Sequence, residues 1–523
     1  MSPPSRAGRL TGTAALVRLI LRRDRLVLPV WVAVAILVPY GVASGAVKLY
    51  TTTEALRQYA DEAMSNTAQV AMRGFVYEPS MGGVVAWGAG MSGALIAAVA
   101  SLLVVIRHTR VEEETGRREL LGSTVVGRHA GLTAALAVVS AANLMVAVLL
   151  SAVLIGLGLP AGGAFVLGLS TAGVGVAVAT VAAVAAQVAT GGGAARGLAL
   201  AVTGLLFLVR AAGDARGSGL SWLSPFGWAR LSRAWTGDHW QVLLLFAAWT
   251  ALLGGAAYLL SARRDLAAGL LPPRPGPAVG APGLRNQLAL AWRSQRGTLL
   301  AWTAGCALVG LLLGGAAKGA EGQLSGLFSG ADALFTFSLL VLSQAVSAYA
   351  VSAALRPRAE ESAGLAELLL ATAPSRTRWA SAHLAFAVAG PIVMLAVAGA
   401  AIGLSYGLSI GDVGREVPMM LGTALVWLPA VWVVAALALG LLGLLPRIAA
   451  AVAWAMLGGF LLIELAFEFG QVNDAVLSLS PFSHIPRTLL GAPFSAVPLA
   501  VLVLVAAGLA AAGLAGIRRR DIG

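Results

Sequence analysis

Charge is scarce in this sequence. Of its 523 residues only 11% are Asp, Glu, Lys or Arg, while 58% are hydrophobic. Soluble domains carry about 25% charged residues, so an ordinary soluble enzyme is excluded. Cysteine is reduced to Cys306, inside an apolar run, which rules out an internal disulfide framework and a cysteine metal cluster. Lysine is reduced to Lys48 and Lys318, and neither is followed by Ser or Thr. A P-loop needs its lysine in that context to reach the β- and γ-phosphates, so the chain has no ATPase site of this type. The five histidines, His108, His129, His239, His383 and His484, are scattered and form no HExxH or metal-spaced pair. Acidic stretches such as "YADE" and "GDVGRE" have no nucleophile or phosphate-binding loop beside them, so no catalytic role is expected. The net charge of +13 is spread between apolar runs rather than gathered with aromatics on one domain, so no nucleic-acid partner is expected.

Apolar runs are what the sequence has in abundance. Mean hydropathy is +0.85, and runs of about 20 residues, the length of one bilayer crossing, recur along the chain. They predict an all-α integral membrane protein with about twelve spans: 26–46, 82–106, 131–158, 161–190, 196–213, 241–261, 298–317, 332–355, 381–405, 417–444, 448–468 and 496–516. The first run follows an arginine-rich start and ends in small residues, as a signal peptide does, but its length favours a retained span. With the N-terminus inside, 26 of the 36 Lys and Arg residues fall on inner segments, which predicts that both termini are cytoplasmic. A bias toward Ala, Gly, Val, Leu and Arg points to a high-GC bacterium, hence a bacterial plasma membrane.

The runs divide at "LLPPRPGPAVGAPG", 270 to 283, which can neither continue a helix nor build a core. The expected organisation is a cytoplasmic amphipathic entry segment (1–25), a six-span half (26–261), a Pro/Gly-rich linker (262–297), a second six-span half (298–516) and a cytoplasmic tail (517–523). The halves match. "EEETGRRELLGSTVVGR" at 112–128 returns as "EESAGLAELLLATAPSR" at 360–376, "SPF" recurs at 224 and 480, and "RRD" at 263 and 519. Three matches in the same order imply a duplicated six-span unit, and an even number of spans per copy makes the repeats parallel.

Both charged segments lie between the second and third spans of their half. Read as helices, Glu112, Gly116 and Glu119, and likewise Glu360, Gly364 and Glu367, fall at i, i+4 and i+7 on one stripe, with a glycine open to another backbone. A solvated helix needs only charge, whereas these copies keep identity and spacing together, which points to docking. The pattern Arg110, Glu112, Glu113, Gly116, Glu119, Leu120, Leu121, Thr124, Arg128 resembles the cytoplasmic segment of the membrane subunits of ATP-binding-cassette (ABC) exporters of the second permease class. The twelve-span form resembles the permeases of polyketide-antibiotic and multidrug exporters. That resemblance implies that the segments 107–130 and 356–380 contact a separate ATPase subunit, two copies per chain, which would bind the ATP and Mg while this chain binds no cofactor. Contact residues would be Arg110, Glu112, Glu113, Gly116, Glu119 and Arg128, with Arg358, Glu360, Glu361, Gly364, Glu367 and Arg376 in the second copy. The second copy has Ala359, Ser362 and Leu365 where the first has Val111, Glu114 and Arg117, so the two sites are expected to be unequal.

By the same resemblance, a path for a hydrophobic small molecule runs between the halves. Its candidate lining is Trp87, Met91, Phe207, Phe335, Phe337, Gln344, Trp454, Phe460 and Glu464. Glu464 is the one acid well inside a predicted span, and the alternative function is an ion-coupled drug carrier that uses it. The two "SPF" sites are expected to start short helices, with Ser224 and Ser480 as N-caps and Pro225 and Pro481 at the first helical position. Membrane lipid is the remaining expected partner.

Overall fold

The computed structural model describes residues 8–65, 70, 73–114, 126–215, 217–263, 286–323, 331–371, 375–468, 473–491 and 493–520. Among them the regular structure is helical throughout. Eleven helices are long and apolar enough to cross a membrane, and Ala449–Glu464 is a shorter apolar helix where a twelfth span is expected. The linker 270–283 lies outside the described residues.

Two compact units divide the chain, Met1–Gly276 and Pro277–Gly523. The first contains α1 (Thr13–Arg23), α2 (Val27–Leu49), α3 (Thr53–Ser65), α4 (Met81–Ile106), α5 (Ala130–Gly156), α6 (Ala161–Val188), α7 (Gly192–Ala215), α8 (Pro225–Leu231) and α9 (Leu243–Arg263). Its centre is α6, which packs against α4, α5 and α9. The Ala, Gly and Ser positions of α6 let neighbouring backbones come close, which matters where apolar burial gives no advantage over lipid tails. Polar side chains then bond across the contacts: Ser151 Oγ donates to the Ala164 carbonyl at 2.9 Å, and the buried Asn143 Nδ2 donates to Ser101 Oγ at 2.9 Å.

The second unit contains α10 (Gln287–Gln323), α11 (Ala331–Ala354), α12 (Arg356–Ser362), α13 (Leu365–Leu370), α14 (Arg376–Ile410), α15 (Val413–Leu425), α16 (Leu428–Leu444), α17 (Ala449–Glu468), α18 (Asp474–Leu477) and α19 (Ala496–Arg519). Helix α10 starts at Gln287, inside the stretch read as linker. The expected span 417–444 is two helices, α15 and α16, parted at Val426 and Trp427 with Pro429 in the first turn of α16. Proline has no N–H to donate and costs least in the first turn of a helix, where that N–H has no intrahelical partner.

Both short helices at the SPF sites start as the sequence predicts. Ser224 Oγ accepts from the Phe226 amide at 3.2 Å and Ser480 Oγ from the Phe482 amide at 3.3 Å, each with proline next. Leu37, Leu244 and Leu504 stand exposed on span helices, an apolar exterior suited to lipid rather than water.

Helices α16 and α19 pack most closely where both are glycine. A Cβ at Gly513 would lie 2.6 Å from the Leu439 carbonyl oxygen, and one at Gly516 2.6 Å from that of Gly443. Replacing Gly516 by leucine should lower stability by about 1–3 kcal/mol through overpacking. Thermal unfolding in detergent measures it, and Gly508→Leu, at a position with nothing within 4 Å, is the matched control.

Candidate coupling segments and substrate path

The first charged segment begins as α4 leaves its apolar run. The last turn of α4 widens into a π-helical turn, Arg107–Val111, followed by the helical Glu112–Glu114. The wider turn allows the consecutive residues His108, Thr109 and Arg110 all to be buried. Each neighbouring charge then meets a group from another part of the unit. Asp24, at the end of α1, is fully buried against His108 Nε2 at 2.5 Å and Arg107 at 3.2 Å. Arg23 bonds Glu112. Arg110 donates Nη1 to Glu113 Oε2 at 2.8 Å, with both side chains no more than 2% exposed, and Nη2 to the Thr190 carbonyl. Glu114 accepts the Gly192 amide at 2.9 Å, at the start of α7. These glutamates clasp α1, α4 and the α6–α7 turn together. Gly116 and Glu119 lie outside the described residues.

The second segment does the same work with different partners. Glu360 accepts the Trp379 indole N–H at 2.8 Å and faces His383 Nε2 at 3.3 Å, both on α14. The other ring nitrogen of His383, Nδ1, lies 3.0 Å from Gln295 Nε2 on α10. Burial pushes the Glu360 carboxyl up, but the hydrogen bond and charge of His383, the Trp379 indole and Arg356 together hold it below its ordinary value of 4.5. Glu361 meets Arg358 at 3.4 Å and Arg520 from the end of α19.

One expectation is corrected here. Glu360, Gly364 and Glu367 do not form a stripe on one helix, because Gly364 sits at φ +70 and separates α12 from α13. That backbone conformation is the one glycine adopts at no steric cost, so the glycine breaks the helix rather than thinning it. Beyond the break, Gly364, Leu365, Glu367 and Leu368 are all exposed while Ala366 is buried.

The two segments share two features. Arg110–Glu113 and Arg358–Glu361 are the same i, i+3 pair at matched positions. The closing arginine of each segment reaches the last helix of its own unit: Arg128 Nε donates to the Ser261 carbonyl at 3.0 Å and Arg376 to the Arg520 carbonyl.

The path candidates separate into groups. Trp87 and Met91 line one cavity with Tyr77, Arg230 and Arg233. The Trp87 indole donates to the Gly74 carbonyl at 2.7 Å. Phe207 does not line it, and packs edge-on against Phe226 of the SPF turn, centroids 5.7 Å apart. In the second unit Phe335 is fully buried edge-on to Tyr406, Phe337 is half-buried and Gln344 is buried, all on α11. On α17, Trp454 is exposed, Phe460 is half-buried against the core and Glu464 is buried, accepting the Ser480 hydroxyl at 2.6 Å. Glu464 thus anchors the SPF turn.

Sequence reading missed the polar partners. Arg210, in the run read as span 196–213, is fully buried and paired with Asp214 at 2.8 Å, which also accepts the Ser221 hydroxyl at 2.6 Å. An arginine inside a predicted span was the available signal. Asp24 and Gln295 occupy matching places in "RDRLVLPVW" and "SQRGTLLAW", aligned on their tryptophans. The histidines are scattered in the sequence and form no metal-spaced pair, yet His108 and His383 are carboxylate partners of Asp24 and Glu360.

Comparison with known proteins agrees with this membrane architecture. The family model described as "Multidrug efflux system permease Rv1217c, C-terminal domain" matches residues 284–518. Over 533 aligned residues the chain is 42% identical to the multidrug efflux system permease protein Rv1217c of Mycobacterium tuberculosis, covering 99% of this chain and 97% of the relative.

Arg110→Met should cost about 3–5 kcal/mol, because it removes the arginine from a buried ion pair with Glu113, and the double variant Arg110→Met/Glu113→Leu should recover most of the loss. Thermal unfolding of the three proteins in detergent tests this. A pH series tests Glu360. A carboxyl held low in the folded state contributes stability that is fully present above its ordinary value of 4.5 and is lost as pH falls through the lower folded value. Melting temperature measured at falling pH should drop less steeply in Glu360→Gln than in wild type.

Proposed function

The chain belongs to the family of multidrug efflux system permeases, and from that premise we propose that it is the transmembrane subunit of an ATP-driven ABC exporter of hydrophobic or amphiphilic, drug-like compounds. ATP and Mg are bound by a separate ATPase subunit, two copies per chain, seated on segments 107–130 and 356–380. Both termini and both segments then face the cytoplasm of a bacterium, and each unit is one copy of a duplicated six-span repeat.

The observation that carries this reading is the division of labour within 356–371. Glu360 and Glu361 fasten the segment to α14 and to the end of α19. Just past the Gly364 break, Leu365 and Leu368 are exposed beside Glu367, outside the apolar spans. Exposed leucines around an acid form a small docking face for another protein. A push on α13 then passes through the fastened glutamates into α14 and α19. Gly116 and Glu119 are the counterparts in the first segment. Arg110, Glu112, Glu113 and Arg128, with Arg358, Glu360, Glu361 and Arg376, transmit rather than touch. Such a chain has no catalytic step of its own.

The ion-coupled alternative is weaker, since Glu464, the acid it would use, accepts the hydroxyl of the residue that caps the SPF turn. Co-purification from the native host separates the two. An ATPase subunit should come down with wild type near two per chain. Glu367→Arg/Leu368→Asp should lose it with an unchanged melting temperature, whereas Glu361→Gln should lower the melting temperature. A wild type that purifies alone would overturn ATP coupling.

A further inference from the structure

The first unit holds a cationic cavity at the end of α4 opposite its charged segment. Helix α4 has 26 residues, about 39 Å, between the two ends. Arg73, Arg230 and Arg233 line this cavity together with Tyr77, Trp87 and Met91. Its volume is about 30 Å³. A single water needs about 10–15 Å³, so the space accommodates one small polar head and not a whole drug molecule.

Among the described residues, the arginines at this cavity outnumber the carboxylates paired with them. Asp214 lies 3.8 Å from Arg230, but it is already held by Arg210 at 2.8 Å. Among the described residues no carboxylate pairs with Arg73 or Arg233. Their neighbours are aromatic: the Arg73 side chain hydrogen-bonds Tyr59 and its guanidinium stands 4.8 Å from the Trp87 ring centre, and that of Arg233 stands 4.4 Å from Tyr77. Arg230 is committed to structure, donating to the carbonyls of Arg73 and Phe75. Arg233 is not.

The loop that carries Arg233 is held in an unusual shape. Arg233, Trp235 and Asp238 have φ of 49, 60 and 45, all in the left-handed region and none of them glycine. Such conformations persist only where surrounding contacts over-determine them, and they gather at ligand sites. Here the Trp235 indole donates to the Pro160 carbonyl at 2.8 Å, and Asp238 Oδ1 accepts the Trp235 amide at 2.7 Å. The loop is thereby locked over the ends of α4 and α6 with Arg233 at the cavity. Met91 and Leu167 form its apolar wall.

We propose that this cavity binds the carboxylate head of an anionic amphiphile, with Arg233 and Arg73 as the cationic partners and the Met91–Leu167 wall against the start of its tail. This adds a substrate class to the efflux reading, and because binding is read on the permease chain alone, it stands or falls separately from ATP coupling. The test is equilibrium dialysis of dodecanoate and of dodecan-1-ol against the full chain in phosphatidylcholine nanodiscs, corrected for partition into empty nanodiscs. Wild type should prefer dodecanoate by about tenfold, the size of a charge-assisted contact. Arg233→Gln should abolish the preference and Arg233→Lys should keep most of it, with melting temperatures matching wild type. Equal affinity of wild type for both probes, or an unchanged preference in Arg233→Gln, overturns the proposal. Full displacement of dodecanoate by acetate would also overturn it, since the site would then recognise a bare anion and not an amphiphile.

Discussion

A charge buried in this chain is costly unless another group of the chain answers it, because lipid tails offer none and a buried ion left alone costs several kcal/mol. The Arg110–Glu113 pair is the plainest case, with both side chains at most 2% exposed. Arg110 also holds the Thr190 carbonyl and Glu114 holds the start of α7, so the end of α4 and the α6–α7 turn move as one piece. Asp24 extends the same constraint to α1.

The second unit satisfies the constraint with other residues, and the difference bears on mechanism. Glu360 and Glu361 are tied to α14 and to the end of α19, whereas Glu112 is tied to α1. Force applied at the two segments would therefore enter different helices. Besides the matched Arg–Glu pair, both segments have a closing arginine, Arg128 or Arg376, that reaches the last helix of its unit. It closes each unit into a loop of contacts that starts and ends at the charged segment.

Much of this was legible in the sequence. The helical membrane class followed from run lengths, and the SPF turns from the rule that Ser caps and Pro starts a helix. The path candidates fared less evenly, since Trp87 and Met91 share a cavity while Phe207 packs on Phe226 instead. Residue type alone cannot tell which aromatic faces a cavity and which faces a neighbour. Gly364 shows the same limit on a smaller scale. At i+4 from Glu360 it reads as one face of a helix, yet its φ of +70 makes it the point where one helix ends and another begins.

By itself the sequence determined the all-α membrane class, the paired charged segments and the absence of a P-loop, because these depend on composition and local spacing. Only the tertiary structure decided what the charges do. Pairings such as His108 with Asp24, Glu361 with Arg520, or Arg128 with Ser261 join residues 84, 159 and 133 positions apart. Nothing local encodes them. They arise when apolar helices of fixed length pack and bring polar groups distant in sequence within reach of each buried charge.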